Sequence, residues 1–392
     1  MVDDLSAGPR RTRRRGPTLL LLLGLLVAGL VLSGQSSPTR WLVALGLDPV
    51  ALGLVERPRP AAVSGDGRIT LFFTTPDLVY PDQPKRRIAP AAERALLADL
   101  AAARHTIELA SFEYNLMSLA QALAQAQTRG VQVRLALDRD NLVDPRKAKW
   151  AGSVEDAGVT ISWQQGSSFQ HSKFVIIDQR VVWTGSWNVT NNDTYRNNNN
   201  LLRIHDPAIV ANYRAEFERM AAGRFGGMKS GPTPYSPTHI GRVTIETYFS
   251  PHEPVRPHIV RLLSQAQERI EVMAFAFTDD EIGAALVERH HAGVRVRVVF
   301  ERRNARGVGS EFPLLQAEGV DILHDGNCYT MHHKVIIIDQ RIVITGSYNF
   351  TARAESINDE NTLIIYDPVL AAAYSEEFAR VYAQAQRPPR CQ

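Results

Sequence analysis

A chain of 392 residues, 44% hydrophobic and 22% charged, is long enough for two ordinary cores and is neither collagenous nor disordered in composition. Its formal net charge is +3, but residues 1–40 hold six arginines against Asp3 and Asp4, which leaves a net −1 on the rest. That rest lacks the overall basic excess of a tight non-specific nucleic-acid binder, although a local basic groove stays compatible with it.

In chain order, the first feature is an address. Arg10 to Arg15 form a basic cluster, and Leu19 to Leu32 form an apolar run of 14 residues. The arginines stay cytoplasmic and the apolar run enters the bilayer. The run is short for a full span of about 20 residues and suits a signal-peptide core. No Ala-x-Ala site follows, although Val31-x-Ser33 is a tolerable cleavage signal. Residues 1–34 are therefore expected to be an uncleaved signal anchor, or alternatively a cleaved signal peptide. Either way the catalytic part is extracytoplasmic, membrane-anchored or secreted. Residues 35–66 read as a tether, with an apolar stretch at Trp41–Val55 and Pro58, Pro60 and Gly/Ser positions after it.

The remainder is one unit written twice. Ile107-Glu-Leu-Ala-Ser-Phe112 matches Ile270-Glu-Val-Met-Ala-Phe275, and Gly130-Val-Gln-Val-Arg134 matches Gly293-Val-Arg-Val-Arg297. Each copy predicts a helix (Ala91 to Ala103; Pro257 to Gln267) and an apolar strand. A second helix follows (Ser118 to Thr128; Asp280 to His291), then a strand of period two at Val131-x-Val133-x-Leu135 or Val294-x-Val296-x-Val298. Alternating types predict an α/β fold, with a mixed sheet flanked by helices in each half. The halves are expected at 67–227 and 242–386 with a linker at 228–241, packed with pseudo-two-fold symmetry.

A motif with identical spacing carries the chemistry. The first copy has His171, Lys173 and Asp178, then Gly185-Ser186-Trp187-Asn188; the second has His332, Lys334 and Asp339, then Gly346-Ser347-Tyr348-Asn349. In a strand, alternate residues share a face, so each histidine points with its lysine. The Gly-Ser turn lets backbone and hydroxyl approach an anion, and Asn188 and Asn349 add neutral donors. One histidine can attack phosphorus and the other can protonate the leaving group, while lysines and asparagines stabilise developing charge. One copy lacks the second histidine, so both halves must meet at one site. No metal or other cofactor is needed, and no cluster of carboxylates or cysteines suggests one. Cys328 and Cys391 give neither a disulfide framework nor a zinc pattern. They are read as unpaired thiols, with a single disulfide open to an oxidising compartment.

The doubled motif resembles that of the phospholipase D superfamily, over roughly residues 68–385. It looks most like the compact cardiolipin hydrolase and bacterial endonuclease branch. The resemblance implies nucleophile, acid and phosphate-binding roles for the residues just named, with Ser186, Asn188, Ser347 and Asn349 binding and orienting phosphate. It also implies an acidic residue about 28 positions after each histidine to orient its ring. Glu360 holds that place after His332, and Asn199 departs from it after His171. A carboxylate stabilises imidazolium and an amide does not. His332 is accordingly expected to be the acid and His171 the nucleophile. The expected substrate is a phospholipid cleaved by hydrolysis. The alternatives are a nuclease acting on DNA or RNA, or a cardiolipin synthase-like transferase. The membrane is a partner through the N-terminus, nucleic acid is a possible partner, and a single chain holding both halves suits a monomer.

Overall fold

The computed structural model describes residues 61–74 and 80–391. The expected anchor and the tether up to residue 60 lie outside the described residues.

The first half runs β1 (Ala62–Ser64), β2 (Ile69–Phe73), α1 (Ala91–Ala102), β3 (Thr106–Ser111), α2 (Met117–Thr128), β4 (Gln132–Asp138), α3 (Pro145–Glu155) and β5 (Thr160–Gln164). It continues with β6 (Phe174–Ile177), β7 (Val181–Gly185), α4 (Asn191–Tyr195), β8 (Asn200–Ile204) and α5 (Pro207–Ala221). The second half repeats this as β9 (Thr238–Ile240), β10 (Val243–Tyr248), α6 (Arg256–Ser264), β11 (Arg269–Ala274), α7 (Asp280–His291), β12 (Arg295–Phe300), α8 (Phe312–Ala317) and β13 (Asp321–His324). It closes with β14 (Lys334–Ile338), β15 (Ile342–Gly346), α9 (Ala352–Ser356), β16 (Thr362–Tyr366) and α10 (Pro368–Gln386).

Each half builds an eight-stranded mixed sheet, ordered β1-β2-β8-β7-β6-β3-β4-β5 and β9-β10-β16-β15-β14-β11-β12-β13. The strands β3, β4 and β5 pair in parallel because helices α2 and α3 carry the chain between them, whereas β6, β7 and β8 are antiparallel. Two boundaries move. Residues 62–64, expected in the tether, form the edge strand β1 on β2, and 238–240, expected in the linker, form β9 on β10.

The central strands are apolar on both faces because both are covered. Phe174 and Ile176 face a core shared with Val335 and Ile337 of the other half and with α5 and α10. Val175 and Ile177 face α1–α3, and Ile336 and Ile338 face α6–α8. A strand buried on both sides reads as a continuous apolar run, and each motif lysine leads directly into such a run. The helices of the shared layer begin alike: Asp206 and Asp367 cap α5 and α10, with Pro207 and Pro368 at their first positions.

The halves also join through backbone. His171 N donates to Asp359 O at 2.9 Å, and His332 N donates to Asn198 O at 3.0 Å. Cys328 and Cys391, read as unpaired thiols, form a disulfide that ties the segment after α10 to the loop before His332.

Candidate active site

The site lies where β3 and β7 end and β6 and β8 begin, and at the matching edge of the second sheet. These four strand ends deliver Lys173, Ser186 and Asn199 in one half and Lys334, Ser347 and Glu360 in the other. Glycine is required at the end of β7 and β15. A Cβ at Gly185 would stand 2.1 Å from Asn200 O, and one at Gly346 2.1 Å from Asn361 O, so the backbones approach too closely for a side chain.

Each lysine folds back on its own motif. Lys173 Nζ donates to His171 O at 2.7 Å, and Lys334 Nζ to His332 O at 2.8 Å. All four side chains are buried, with the histidines 6% exposed and the lysines 2% and 1%. Burial is the main reason that Lys173 falls to about 8 and that Lys334 falls well below the usual lysine value, Lys173 adding to the second effect. Burial likewise lowers both histidines. Glu360 opposes the shift at His171, whereas Lys334 and Lys173 deepen it at His332.

The ring partners come from the opposite half. His171 Nδ1 lies 2.7 Å from Glu360 Oε2, and His332 Nδ1 lies 2.8 Å from Asn199 Oδ1. The expected pairing of Glu360 with His332 and Asn199 with His171 is therefore overturned: the right residues are present, crossed between copies. The reason is topological. Asn199 and Glu360 lie just before β8 and β16, in segments that bridge to the other half through Asn198–Met331 and Gln170–Asp359. An oxygen acceptor beside Nδ1 places the ring proton there and leaves Nε2 free on each histidine.

Ser186 and Ser347 are committed to these partners rather than free for phosphate. Ser186 Oγ donates to Asn199 Oδ1 at 2.9 Å and Ser347 Oγ to Glu360 Oε2 at 2.5 Å. Asn188 Oδ1 accepts from Glu113 N at 3.3 Å, and Asn349 Oδ1 is buried without a partner. Thr190 and Thr351, two positions further on, cap α4 and α9.

Asp178 and Asp339 do not join the site. Each follows its strand at the opposite edge, Asp178 roughly 16 Å of extended chain from Lys173. Asp178 accepts from the amides of Arg104, His105 and Thr106, and Asp339 from those of Gln267, Glu268 and Arg269. Both sit at positive φ (51° and 50°), each followed by a glutamine also at positive φ. That is the tight hairpin turn that matches strand twist. These aspartates stitch strand starts together, at the edge away from the histidines and lysines.

Sequence reasoning missed the aromatic frame. Phe112 packs edge-on against His171, ring centroids 5.0 Å apart, and Phe275 against His332 at 4.7 Å. Lys173 and Lys334 lie over the same two rings, at 5.7 and 4.4 Å. Their signal was available, since both end the repeated block that forms β3 and β11. His333, between His332 and Lys334, is structural: it lies 3.1 Å from Glu377 and 3.2 Å from Asn200.

This duplicated His-Lys site at the edge of paired mixed sheets defines a class. The family model described as "Cardiolipin synthase, PLD-like domain" matches residues 96–221 and 259–382, once per half, and the chain belongs to this phospholipase D-like family. It is 36% identical over 126 residues to the mitochondrial cardiolipin hydrolase of Xenopus tropicalis, covering 32% of this chain and 60% of that protein. It is 35% identical over 144 residues to a phospholipase D of Rickettsia prowazekii, covering 37% of this chain and 70% of that one. The chain thus spans less than two thirds of the cardiolipin hydrolase. In fold it is similar to the phosphatidylserine synthase of Haemophilus influenzae, with a TM-score of 0.58, 13% identity, and 82% and 87% of the two chains covered.

Proposed function

We propose that the chain is a phosphodiesterase that cleaves phospholipid head groups through a phosphohistidine on His171. The crossed ring pairs are the observation that carries this reading. Glu360, bonded to Nδ1 of His171, makes Nε2 a stronger nucleophile and supports the positive charge that the ring takes on when it bonds to phosphorus. At His332 the hydrogen-bonded Nδ1 partner is a neutral amide, so a proton taken up at Nε2 is released more readily than from His171 and suits the leaving oxygen. The Nε2–phosphorus bond forms as the P–O bond to the leaving alcohol breaks, and His332 supplies that alcohol's proton. His332 then takes a proton from water, whose oxygen displaces His171. Lys173 and Lys334 face the phosphoryl oxygens. The roles proposed here coincide with those expected from the sequence, but they rest on the opposite pairing of the rings.

A lipid substrate is supported by the names of the relatives and by the apolar run Leu19–Leu32, which suits membrane attachment with the catalytic part extracytoplasmic. Among the described residues no helix is long and apolar enough to cross a membrane. The apolar faces of Phe112 and Phe275 beside buried ammoniums suit a head-group phosphate arriving from an interface. The test offers the purified protein phosphatidylcholine, cardiolipin and single-stranded DNA in EDTA. Lipid turnover is expected. Turnover of DNA alone would remove the lipid reading, and loss of all turnover in EDTA would remove the metal-independent mechanism.

A further inference from the structure

The two copies differ where their ring partners lie. Aligned on the motif histidines, Asn199 matches Glu360 and Asp193 matches Ala354. The first half lacks the carboxylate just before β8 but has one six residues earlier, in α4. That carboxylate is 3% exposed, and its Oδ2 stands 3.6 Å from His332 Nδ1. Asn188 N donates to the same oxygen at 2.8 Å, and Asn197 Nδ2 donates to Oδ1 at 2.5 Å. Asn199 Nδ2 reaches the backbone oxygen of Asp193 at 3.3 Å, so amide and carboxylate converge on one ring.

We propose that Asp193 is the displaced charge partner of His332, a positioning residue that supports the positive charge this ring carries when it holds a proton for the leaving group. The inference rests on the phosphodiesterase reading of the site. Formation of the short helix does not account for the residue. In the second half, α9 forms on the same Thr351 cap with Ala354 in the equivalent place, so the short helix needs no carboxylate there. The charged groups that interact with Asp193 are His332, Lys334, Lys173 and Glu113. Burial raises the carboxyl of Asp193. The amide donors of Asn197 and Asn188 pull it back toward the ionised form.

The same alignment supplies the test. Asp193→Asn removes the charge and keeps the shape; Asp193→Ala with Asn199→Glu returns a carboxylate to the place the second half uses. With bis(4-nitrophenyl) phosphate as substrate, the Asn variant is expected to lose roughly tenfold in kcat, and the double variant to recover most of it. Titration of the His332 ring by NMR is expected to move to lower pH in the Asn variant and back in the double variant. Unchanged kcat and titration in Asp193→Asn, or a double variant no better than Asp193→Ala, would overturn the proposal. If the unaltered protein leaves the diester intact, the phosphodiesterase reading fails. The His332 titration still decides the role of Asp193 in that case.

Discussion

Glu360 holds His171 at 2.7 Å although 189 positions separate them in the chain. Both are buried, and Ser347 fixes the same carboxylate oxygen. A ring held from another half by a carboxylate that is itself hydrogen-bonded has one tautomer and one orientation. Glu360→Gln preserves the size and removes the charge. It is expected to lower kcat on a lipid diester by roughly 10²–10⁴-fold, with little change in the thermal midpoint. A loss of less than about threefold in steady-state assay would mean that the carboxylate is not coupled to the reacting ring.

The crossed pairs also predict where the covalent intermediate forms. Rapid alkaline quenching of turnover, followed by peptide mapping, is expected to find phosphate on the peptide of His171. His332→Asn should still form this intermediate from a diester with a good leaving group and should release it slowly, because the water-activating ring is gone. Label on the peptide of His332 in the unaltered protein would reverse the assignment.

Lys173 and Lys334 predict an alkaline limb. A lysine is charged below its pKa, and burial lowers both, Lys173 to about 8. The charge that attracts the anionic diester is therefore present at lower pH and is lost as pH rises through that value. The free-enzyme profile, kcat/KM against pH, should fall by about 8. Bound diester retains the ammonium protons, so the limb of kcat should lie higher. A kcat/KM that stays flat to about pH 9.5 would place the lysines outside the phosphate contact.

Asp178 and Asp339 predict stability without chemistry. Asp178→Ala frees three strand-start amides and is expected to lower stability by about 1–2 kcal/mol, the lower end reflecting partial exposure of the site. Urea unfolding would show the shift in midpoint. The kcat per folded molecule should stay within about twofold of the unaltered protein. A large loss of kcat with an unchanged midpoint would return the aspartate to the catalytic group.

Much of this molecule is legible in the chain, and the rest is withheld for physical reasons. Period-two strands and the doubled His-x-Lys spacing are local patterns, so α/β halves, helices such as Asp280–His291 and a shared site can be read from them. Which ring Glu360 meets is not local. It depends on the segment before β16 bridging to the first half at Gln170–Asp359, and the 28 positions from His332 to Glu360 point to the wrong ring. Asp178 misleads because sequence adjacency to His and Lys hides a strand running between them. Asp193 is visible only when the two copies are aligned and a carboxylate is found opposite Ala354. Cys391 sits next to the last residue, where mobility is the ordinary expectation, and only the fold brings it to Cys328.

The crossing of partners has a consequence for how such a site can diversify. Two identical subunits around a two-fold axis must give both rings the same neighbour, because any residue changed on one side changes on the other. Joining the halves in one chain lifts that restriction. Glu360 can then differ from Asn199, Asp193 from Ala354 and His333 from Ser172. The two rings can then be tuned separately, and their Nδ1 partners are changed by substitutions in the half that does not carry the histidine. Each copy thus supplies the Nδ1 partner of its neighbour's ring, and a domain exchanged with a relative would give its own histidine a foreign partner.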